Sequence, residues 1–256
     1  MLKKTIKYII LFICFFVIGA GLFKILPMCY QYHQSRQEYE KVRESVVQEK
    51  KASDKEGNEQ QEDPQECPID VDFDALQRQN PDIIGWIYQE DSPINYPVVK
   101  AGDNDTYLHT TSQKTHNFAG SIFMDCRNTD KLTDLCTIIY GHHMRDGSMF
   151  ASLHRYTEDG YLDGHRYFWY LTKDSVFRLD FYSAVVEEAQ SPLYSLFPKE
   201  GALIQWARGL QERAEFTNTD IDISKVTKLV ALSTCTYEHK NARYVVVLVP
   251  HYIGHR

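Results

Sequence analysis

The chain has 256 residues and a formal net charge of −7, with 43% hydrophobic and 13% aromatic side chains. This composition excludes a largely disordered chain and leaves room for one sizeable hydrophobic core with additional segments. The negative charge and the lack of a long basic stripe in the sequence exclude a typical nucleic-acid-binding protein.

The first predicted element is a membrane anchor. Residues 8–23 are continuously apolar, and three lysines within the first seven residues precede them. Extending the stretch to Met28, with a snorkelling Lys24, gives about 20 residues, the length needed to cross a bilayer. Because basic flanks stay in the cytoplasm, the sequence predicts a single-pass anchor at 1–28 in the cell membrane, with the rest of the chain extracellular. A cleaved signal peptide is the alternative, but no polar region with a small-residue cleavage site follows the apolar stretch.

Residues 29–66 are predicted to form a stalk and a flexible linker. Apolar residues recur at helical spacing in the first part of this segment, at Tyr39, Val42 and Val46. Residues 51–66 have almost no apolar side chains and many charges, so they cannot bury enough surface to offset the entropy of ordering. The sequence therefore predicts that a globular domain begins at Cys67 and covers residues 67–256.

Most predicted elements of this domain are strands. A short helix is expected at Asp72–Gln79, where Asn80-Pro81 ends it, and another at Ala202–Glu212, where apolar residues have helical spacing. Eight runs with β-type composition are separated mostly by Gly, Asn, Asp or Pro, and they are 83–89, 94–99, 120–125, 136–140, 167–171, 176–186, 228–234 and 243–249. Eight strands with a few helices predict a mainly β fold, a closed or nearly closed barrel decorated by helices.

Cysteine usage does not indicate a metal site. The six cysteines are Cys14, Cys29, Cys67, Cys126, Cys136 and Cys235. None forms a CxxC pair or has the Cys/His spacing of a structural zinc site, so most are expected to be free thiols, and no metal or cofactor is expected. Cys235 differs because it ends an apolar run that predicts a buried strand, a rigid platform for a nucleophile. Taken alone, such a cysteine is more often a small buried hydrophobic residue.

Two other positions bear on the chemistry of Cys235. Arg243 follows the loop Thr236–Ala242, and it would lie across from Cys235 if the flanking strands pair as an antiparallel hairpin. A guanidinium there would lower the pKa of the thiol and stabilise an oxyanion. His142 and His143 follow the strand that ends at Tyr140, and since adjacent residues of an extended chain point in opposite directions, only one of them can face a given partner. By themselves, a solvated arginine and exposed loop histidines explain these residues equally well.

The combination resembles a known family. The two segments that carry the resemblance most clearly are YGHHMRDGSMF (140–150) and LSTCTYEHKNARYVVV (232–247). Further similar segments are FDALQRQNPDIIGWI (73–87), INYPVVKAGDNDTYL (94–108) and AGSIFMDCRN (119–128). Together they resemble the class B sortases, which are cysteine transpeptidases of Gram-positive bacteria, over residues 70–250.

The resemblance implies both a fold and a set of site residues. The family fold is an eight-stranded β-barrel with N-terminal helices and a helix between the sixth and seventh strands, here Ala202–Glu212. The residues that match the family's catalytic groups are His142, Cys235 and Arg243. Those that match its peptide-binding groups are Asn95, Tyr140, Ser233 and Tyr194. One departure is His143, which stands where many members have Asn, and it is therefore interpreted as a loop residue.

The resemblance also implies the partners. The enzyme would cleave a C-terminal, LPxTG-like sorting motif of exported proteins after its Thr, with an NPxT-like or (S/N/P)PxTG-like signal. It would then transfer the acyl group from a Cys thioester to an amino group of the cell-wall peptide, carried by a peptidoglycan precursor such as lipid II. A membrane-anchored monomer without a nucleic-acid partner is expected.

Three alternatives remain open at this point. A cysteine peptidase would pass the same acyl group to water, and residue identities do not separate it from a transferase. A catalytically silent surface scaffold would have no reason to keep His142, Cys235 and Arg243 together. A zinc protein that used His142, His143 and His154 would lack any HExxH or CxxC motif.

Overall fold

The computed structural model describes residues 2–50, 64–214, 216–235 and 241–256. In chain order, the helices and strands are α1 (Leu2–Val46), β1 (Val47–Glu49), β2 (Ile69–Val71), α2 (Phe73–Gln79), β3 (Ile83–Tyr88), β4 (Asn95–Val99), β5 (Ile122–Met124), β6 (Cys136–Tyr140), α3 (Tyr161–Gly164), β7 (Tyr167–Leu171), β8 (Ser175–Glu188), α4 (Glu200–Arg208), α5 (Leu210–Arg213), β9 (Phe216–Thr217), β10 (Leu229–Cys235) and β11 (Ala242–His255). Short 3-10 helices lie at Thr106–Leu108, Ala151–Thr157, Pro192–Ser195 and Ile223–Lys225.

Eight of these strands close into a barrel. Their order around it is β11-β10-β6-β5-β4-β3-β7-β8, and the pairing of β11 with β8 closes the ring, while β9 pairs with β8 as an additional strand. The neighbours β10–β6 and β4–β5 are parallel, and the other pairs in the ring are antiparallel. This confirms the predicted eight-stranded barrel.

Each predicted β run became one barrel strand because its apolar residues alternate between the interior and a second buried layer. In β10, Val230 and Leu232 pack inside the barrel, whereas Ala231 belongs to a cluster on the outside. That outer cluster includes Leu203, Trp206 and Leu210, which lie on the face of α4 and α5 that covers the barrel. The predicted helix between the sixth and seventh barrel strands is therefore present, divided into two at Gly209.

The strands β1, β2 and β9 were not predicted. They contain three, three and two residues, too few for an alternating pattern to be recognised in the sequence. β1 pairs with β2 in a separate antiparallel sheet. In contrast, α2 is where the sequence predicts it, and the Asp72 carboxylate caps it by accepting a hydrogen bond from the backbone N–H of Ala75 (2.8 Å).

Helix α1 joins the apolar N-terminus to the barrel. Among the described residues it is the one helix long and apolar enough to cross a membrane, judged by its length and composition. Its last turns pack on the domain, since the predicted helical stripe of Tyr39, Val42 and Val46 is buried. These turns are thus part of the folded body instead of a free stalk. Of the linker predicted at 51–66, residues 51–63 lie outside the described part of the chain.

Candidate active site

The ends of three neighbouring strands bring the predicted catalytic positions together. β6 and β10 run parallel with Ser233 opposite Tyr140, and the backbone N–H of Gly141 donates to the carbonyl of Ser233 (3.1 Å). The carboxyl ends of these strands therefore lie side by side, with His142 just beyond one and Cys235 at the end of the other. On the far side of β10, Arg243 of β11 is the direct partner of Cys235, as the predicted hairpin requires. Residues 236–240 of the predicted connecting loop lie outside the described residues.

The imidazole of His142 is held by a backbone carbonyl. Its Nε2 lies 2.7 Å from the carbonyl oxygen of Leu108. Because a carbonyl oxygen only accepts hydrogen bonds, Nε2 must carry the proton, and in the neutral ring Nδ1 is then the free acceptor. The His109 ring stacks on His142, with centroids 5.9 Å apart and planes 16° from parallel. This contact fixes the ring from one face.

Burial lowers the pKa of His142 below its ordinary value. The hydrogen bond to the Leu108 carbonyl raises the pKa, and the nearby His109 lowers it, so the net effect is a depressed pKa. At neutral pH the imidazole of the resting protein is therefore mainly neutral. In this state the imidazole can accept a proton, and it must gain one before it can act as an acid.

His143 lies in a different environment. Its backbone forms an isolated bridge with Met149, and its ring lies 5.0 Å from the ring of His154. His154 in turn stacks on Tyr244, with centroids 4.4 Å apart. The two consecutive histidines therefore diverge, as expected from the alternation of side chains in an extended chain.

A cavity of about 220 Å³ opens at this end of the barrel. It is lined by Asn104, Leu108, Phe123, Tyr140, Gly141, His142, Ser233, Thr234 and Arg243. The guanidinium of Arg243 is half-buried and donates through Nη1 to the carbonyl of Ala242 (3.1 Å). The cavity therefore presents an imidazole and a guanidinium beside the strand end that carries Cys235.

Three of the four residues predicted to bind peptide also meet here. Tyr140 and Ser233 line the cavity, and the hydroxyl groups of Tyr194 and Ser233 are hydrogen-bonded (3.0 Å). Asn95 lies elsewhere, since its Oδ1 accepts from the indole N–H of Trp86 (2.7 Å) and it lines a separate cavity of about 470 Å³ beside α1. Within the first cavity, the asparagine present is Asn104.

Comparison with known proteins places the chain in a family. No family model matches it. Sortase B of Listeria monocytogenes is 34% identical over 176 residues, which make up 67% of this chain and 70% of that protein. The structure of sortase B from Bacillus anthracis in complex with AAEK1 is similar with a TM-score of 0.70 and 29% identity, over 87% of this chain and 99% of the other. The Staphylococcus aureus sortase B–substrate complex is similar with a TM-score of 0.65 and 28% identity, over 71% and 85%. The chain belongs to the class B sortases.

This class B sortase is a cysteine transpeptidase that acts on sorting motifs. Its site includes residues to which the sequence analysis gave no role. Leu108 supplies the carbonyl that holds His142, His109 stacks on the imidazole, and Asn104 lines the cavity. All three lie in or next to the segment INYPVVKAGDNDTYL, which is similar to the family but has no catalytic residue type at a diagnostic spacing.

A buried acid, Asp125, is also a residue to which the sequence analysis gave no role. Asp125 directly follows β5 and has no exposed surface, and Arg127 and Tyr140 both donate to its carboxylate. The signal in the sequence was the motif MDCRN, where an acid and a base two residues apart follow an apolar strand. Among the described residues, no group of three or more His, Cys, Asp or Glu side chains is arranged to hold a metal ion.

Proposed function

We propose that Cys235 is the nucleophile of this sortase, that His142 is its acid/base partner and that Arg243 stabilises the oxyanion. The observation that carries the proposal is the strand register, which pairs Cys235 with Arg243 while the parallel partner strand delivers His142 to the same end of the barrel. His142 is remote in sequence from the hairpin that carries the other two residues, and one cavity lies beside all of these strand ends.

In the first half of the reaction, the Cys235 thiolate attacks the carbonyl carbon of the Thr in the sorting motif. The guanidinium N–H groups of Arg243 donate to the oxyanion that forms. As the C–N bond breaks, the imidazolium of His142 gives its proton to the departing amine, and a thioester remains on Cys235. In the second half, an amine attacks the thioester, His142 accepts the proton of that amine, and the thiolate leaves.

The protonation states set how much enzyme is reactive. With ordinary pKa values of about 8.5 for a thiol and about 6.5 for an imidazole, the thiolate–imidazolium pair is a minority of about 1%. The depressed pKa of His142 reduces this fraction further, whereas a guanidinium opposite Cys235 favours the thiolate. Because Leu108 binds Nε2–H, Nδ1 is the nitrogen assigned to proton exchange.

The size of the cavity limits what it recognises. A volume of about 220 Å³ is below the about 300–1,000 Å³ of typical small-molecule sites, so it admits only the residues next to the scissile bond. Tyr140, Ser233 and Tyr194 are proposed to contact this part of the peptide. A role for Asn95 in the same contact is not supported by its position in another cavity.

The acceptor and the location complete the proposal. The nucleophilic amine is assigned to the cell-wall peptide on a lipid-linked precursor, and the donor to an exported protein with an NPxT-like or (S/N/P)PxTG-like signal. The apolar part of α1 would span the cell membrane once, with the barrel outside the cell. Anchoring the enzyme where both substrates are membrane-bound would raise their effective concentration.

The test is cleavage of a small panel of sorting peptides by the full-length protein in detergent, with each product identified by mass. We expect Cys235→Ala to abolish cleavage and Arg243→Lys to retain little activity, because an ammonium cannot reproduce the planar fork of donors. Near-native turnover by the lysine variant would remove Arg243 from the oxyanion role. Adding a wall-type amine should intercept the thioester in place of water, so that the amide replaces the hydrolysed product; a product composition that does not change with the amine would show that the enzyme is a peptidase.

The two histidines give a matched pair of variants. We expect His142→Ala to reduce kcat/KM by at least about a hundredfold, the usual contribution of a general acid–base group. His143→Ala should have a far smaller effect, because its ring lies against His154 and not in the cavity. Equal losses in the two variants would contradict the assignment of His142.

A further inference from the structure

We propose that Asp125 is a positioning residue for peptide recognition, which holds the wall of the cavity in place through Arg127 and Tyr140. The inference rests on the proposed function of the cavity, and it goes beyond it by assigning a role to the motif MDCRN. Asp125 does not line the cavity, so it is not proposed to touch the substrate. Its effect would pass through the residues that do.

The carboxylate of Asp125 is a junction of hydrogen bonds. Its Oδ1 accepts from the Nε (2.8 Å) and from the backbone N–H (3.0 Å) of Arg127. Its Oδ2 accepts from Arg127 Nη2 (2.7 Å), the Tyr140 hydroxyl (2.9 Å) and Asn104 Nδ2 (3.2 Å). Burying a carboxylate costs free energy unless it is paired with a charge and hydrogen-bonded. The Asp125 carboxylate meets both conditions, since Arg127 supplies the charge and all of these donors bind its two oxygens.

The electrostatics agree with this arrangement. Burial alone would raise the pKa of Asp125, but the donors from Arg127 and Tyr140 outweigh burial and hold the pKa below its ordinary value. Conversely, burial and the neighbouring Asp125 carboxylate raise the pKa of Tyr140, which stays protonated and remains a donor. The network therefore stays intact throughout the pH range in which the enzyme would work.

Arg127 extends the network to a distant segment. Its Nη2 also donates to the backbone carbonyl of Tyr194 (3.0 Å), 67 residues further along the chain. Tyr194 lies in the 3-10 helix Pro192–Ser195, and the next two residues, Leu196 and Phe197, have positive φ values of 55° and 38°. Non-glycine residues adopt such angles at a cost in free energy, so this segment depends on tertiary contacts for its conformation.

The segment held in this way supports the cavity wall, because it contacts two residues that line the cavity, Ser233 and Tyr140. The Tyr194 hydroxyl is hydrogen-bonded to Ser233, and the Tyr194 ring stacks on Tyr140 with centroids 6.5 Å apart. Asp125 thus binds Tyr140 and Asn104 directly and holds Tyr194 through Arg127. The hydrogen bonds described for His142 and Arg243 lie outside this network, because His142 is held by Leu108 and Arg243 donates to Ala242. Loosening the network should therefore weaken peptide binding more than it slows the chemical step.

The test compares Arg127→Ala with wild type in the full-length, detergent-solubilised protein, with a sorting peptide as substrate. The Arg127 side chain is 49% exposed, and in this variant the Asp125 carboxylate keeps donors from Tyr140, Asn104 and the backbone N–H of residue 127, so we expect the variant to fold with reduced stability. We expect KM to rise about tenfold, the equivalent of one lost hydrogen bond to a charged group, while kcat changes less than twofold. Arg127→Lys should fall between the two, because an ammonium cannot bind the carboxylate in a bidentate manner and reach the Tyr194 carbonyl as well.

Two controls separate a specific effect from a general one. Arg166→Ala removes an arginine of similar exposure (47%) that pairs with Asp163, and it should leave KM unchanged. The rate at which a small thiol reagent modifies Cys235 should be the same in wild type and Arg127→Ala, since the reagent needs no peptide groove. Asp125→Asn, if it folds, should raise KM, and adding Arg127→Ala to it should have little further effect because both act through one network.

An unchanged KM in both Arg127 variants would overturn the inference. It would also be overturned if KM did not rise and kcat fell only as much as the fraction of folded protein. The proposed function has its own failure, which is continued cleavage by Cys235→Ala. An inactive Cys235→Ala enzyme together with an unaltered Arg127→Ala enzyme would therefore reject the role of Asp125 alone.

Discussion

His142 shows how the surroundings of one side chain set its chemistry. The ring is half-buried, its Nε2–H is bound by the Leu108 carbonyl, and His109 stacks on one face. Burial and His109 both disfavour the imidazolium, whereas the carbonyl favours it. The proton that the proposed mechanism requires on His142 is therefore harder to place there than on a histidine in water.

The pH dependence of kcat/KM should reveal the depressed pKa of His142. The reactive pair holds one proton between Cys235 and His142, so activity falls on the acidic side when both groups are protonated. Because the pKa of His142 is depressed, we expect the acidic limb to lie below about pH 6.5, the ordinary value for histidine. His109→Gln should raise the pKa of His142, move the acidic limb to higher pH and increase the maximum of kcat/KM. An acidic limb that stays fixed or moves down in this variant would refute the account.

Gly120 shows how a connection between two elements can control the site. It precedes β5 with a φ of +58°, where an L-amino acid is strained, and its carbonyl accepts a hydrogen bond from the Tyr39 hydroxyl (2.7 Å). A Cβ at this position would collide with the carbonyl oxygen of Leu108 and lie 2.6 Å from that of Tyr107. The Leu108 carbonyl is the group that binds His142, so this glycine protects a contact of the active site.

Gly120→Ala should therefore lose activity as well as stability. Displacement of the Leu108 carbonyl would weaken the hydrogen bond to His142 and reduce kcat/KM up to about tenfold. Gly160→Ala is the matched control, because its φ is +79° but nothing lies within 4 Å of the added Cβ. Both variants should lower the thermal midpoint, since an alanine held at a positive φ costs about 1–3 kcal/mol of folding free energy. Equal kcat/KM values for the two variants would show that the collision with Leu108 has no consequence for catalysis.

At the scale of the whole molecule, the end of α1 packs against the barrel. The buried residues Tyr39, Val42 and Val46 attach the end of the helix to the barrel core, and the carbonyl of Gln31 accepts from Asn117 Nδ2 (3.1 Å). The apolar N-terminal part of α1 thus continues without interruption into a helix packed on the domain. Strand β1 directly follows α1 and pairs with β2, so this short sheet also ties the end of the helix to the domain.

Truncation should reveal this contact. A chain that starts at residue 30 keeps the packed turns of α1, whereas one that starts at residue 67 loses them. We expect the shorter chain to be less stable by about 3–6 kcal/mol in urea unfolding, from the burial of two valines and a tyrosine at about 1.5–3 kcal/mol each with an allowance for a compact unfolded state. Equal midpoints and slopes for the two chains would mean that the helix adds nothing to the fold, and that the predicted boundary at residue 67 is sufficient.

The sequence by itself determined the barrel strands, the helices α2 and α4–α5, the family and the residues proposed for catalysis. Strand periodicity and the motifs around His142, Cys235 and Arg243 are local, so each can be recognised within some ten residues of the chain. Even the hairpin that pairs Cys235 with Arg243 follows from a short connection between two strands.

Only the tertiary structure decided which distant residues share a site. It placed Asn104 instead of Asn95 in the cavity, and it joined Asp125 to Tyr194 across 69 positions through Arg127. It also turned the helical stripe of α1 from a predicted stalk into part of the core. The physical reason is that these contacts depend on how a closed barrel brings its strand ends and loops together, and no local pattern of polarity records which remote segment will arrive beside it.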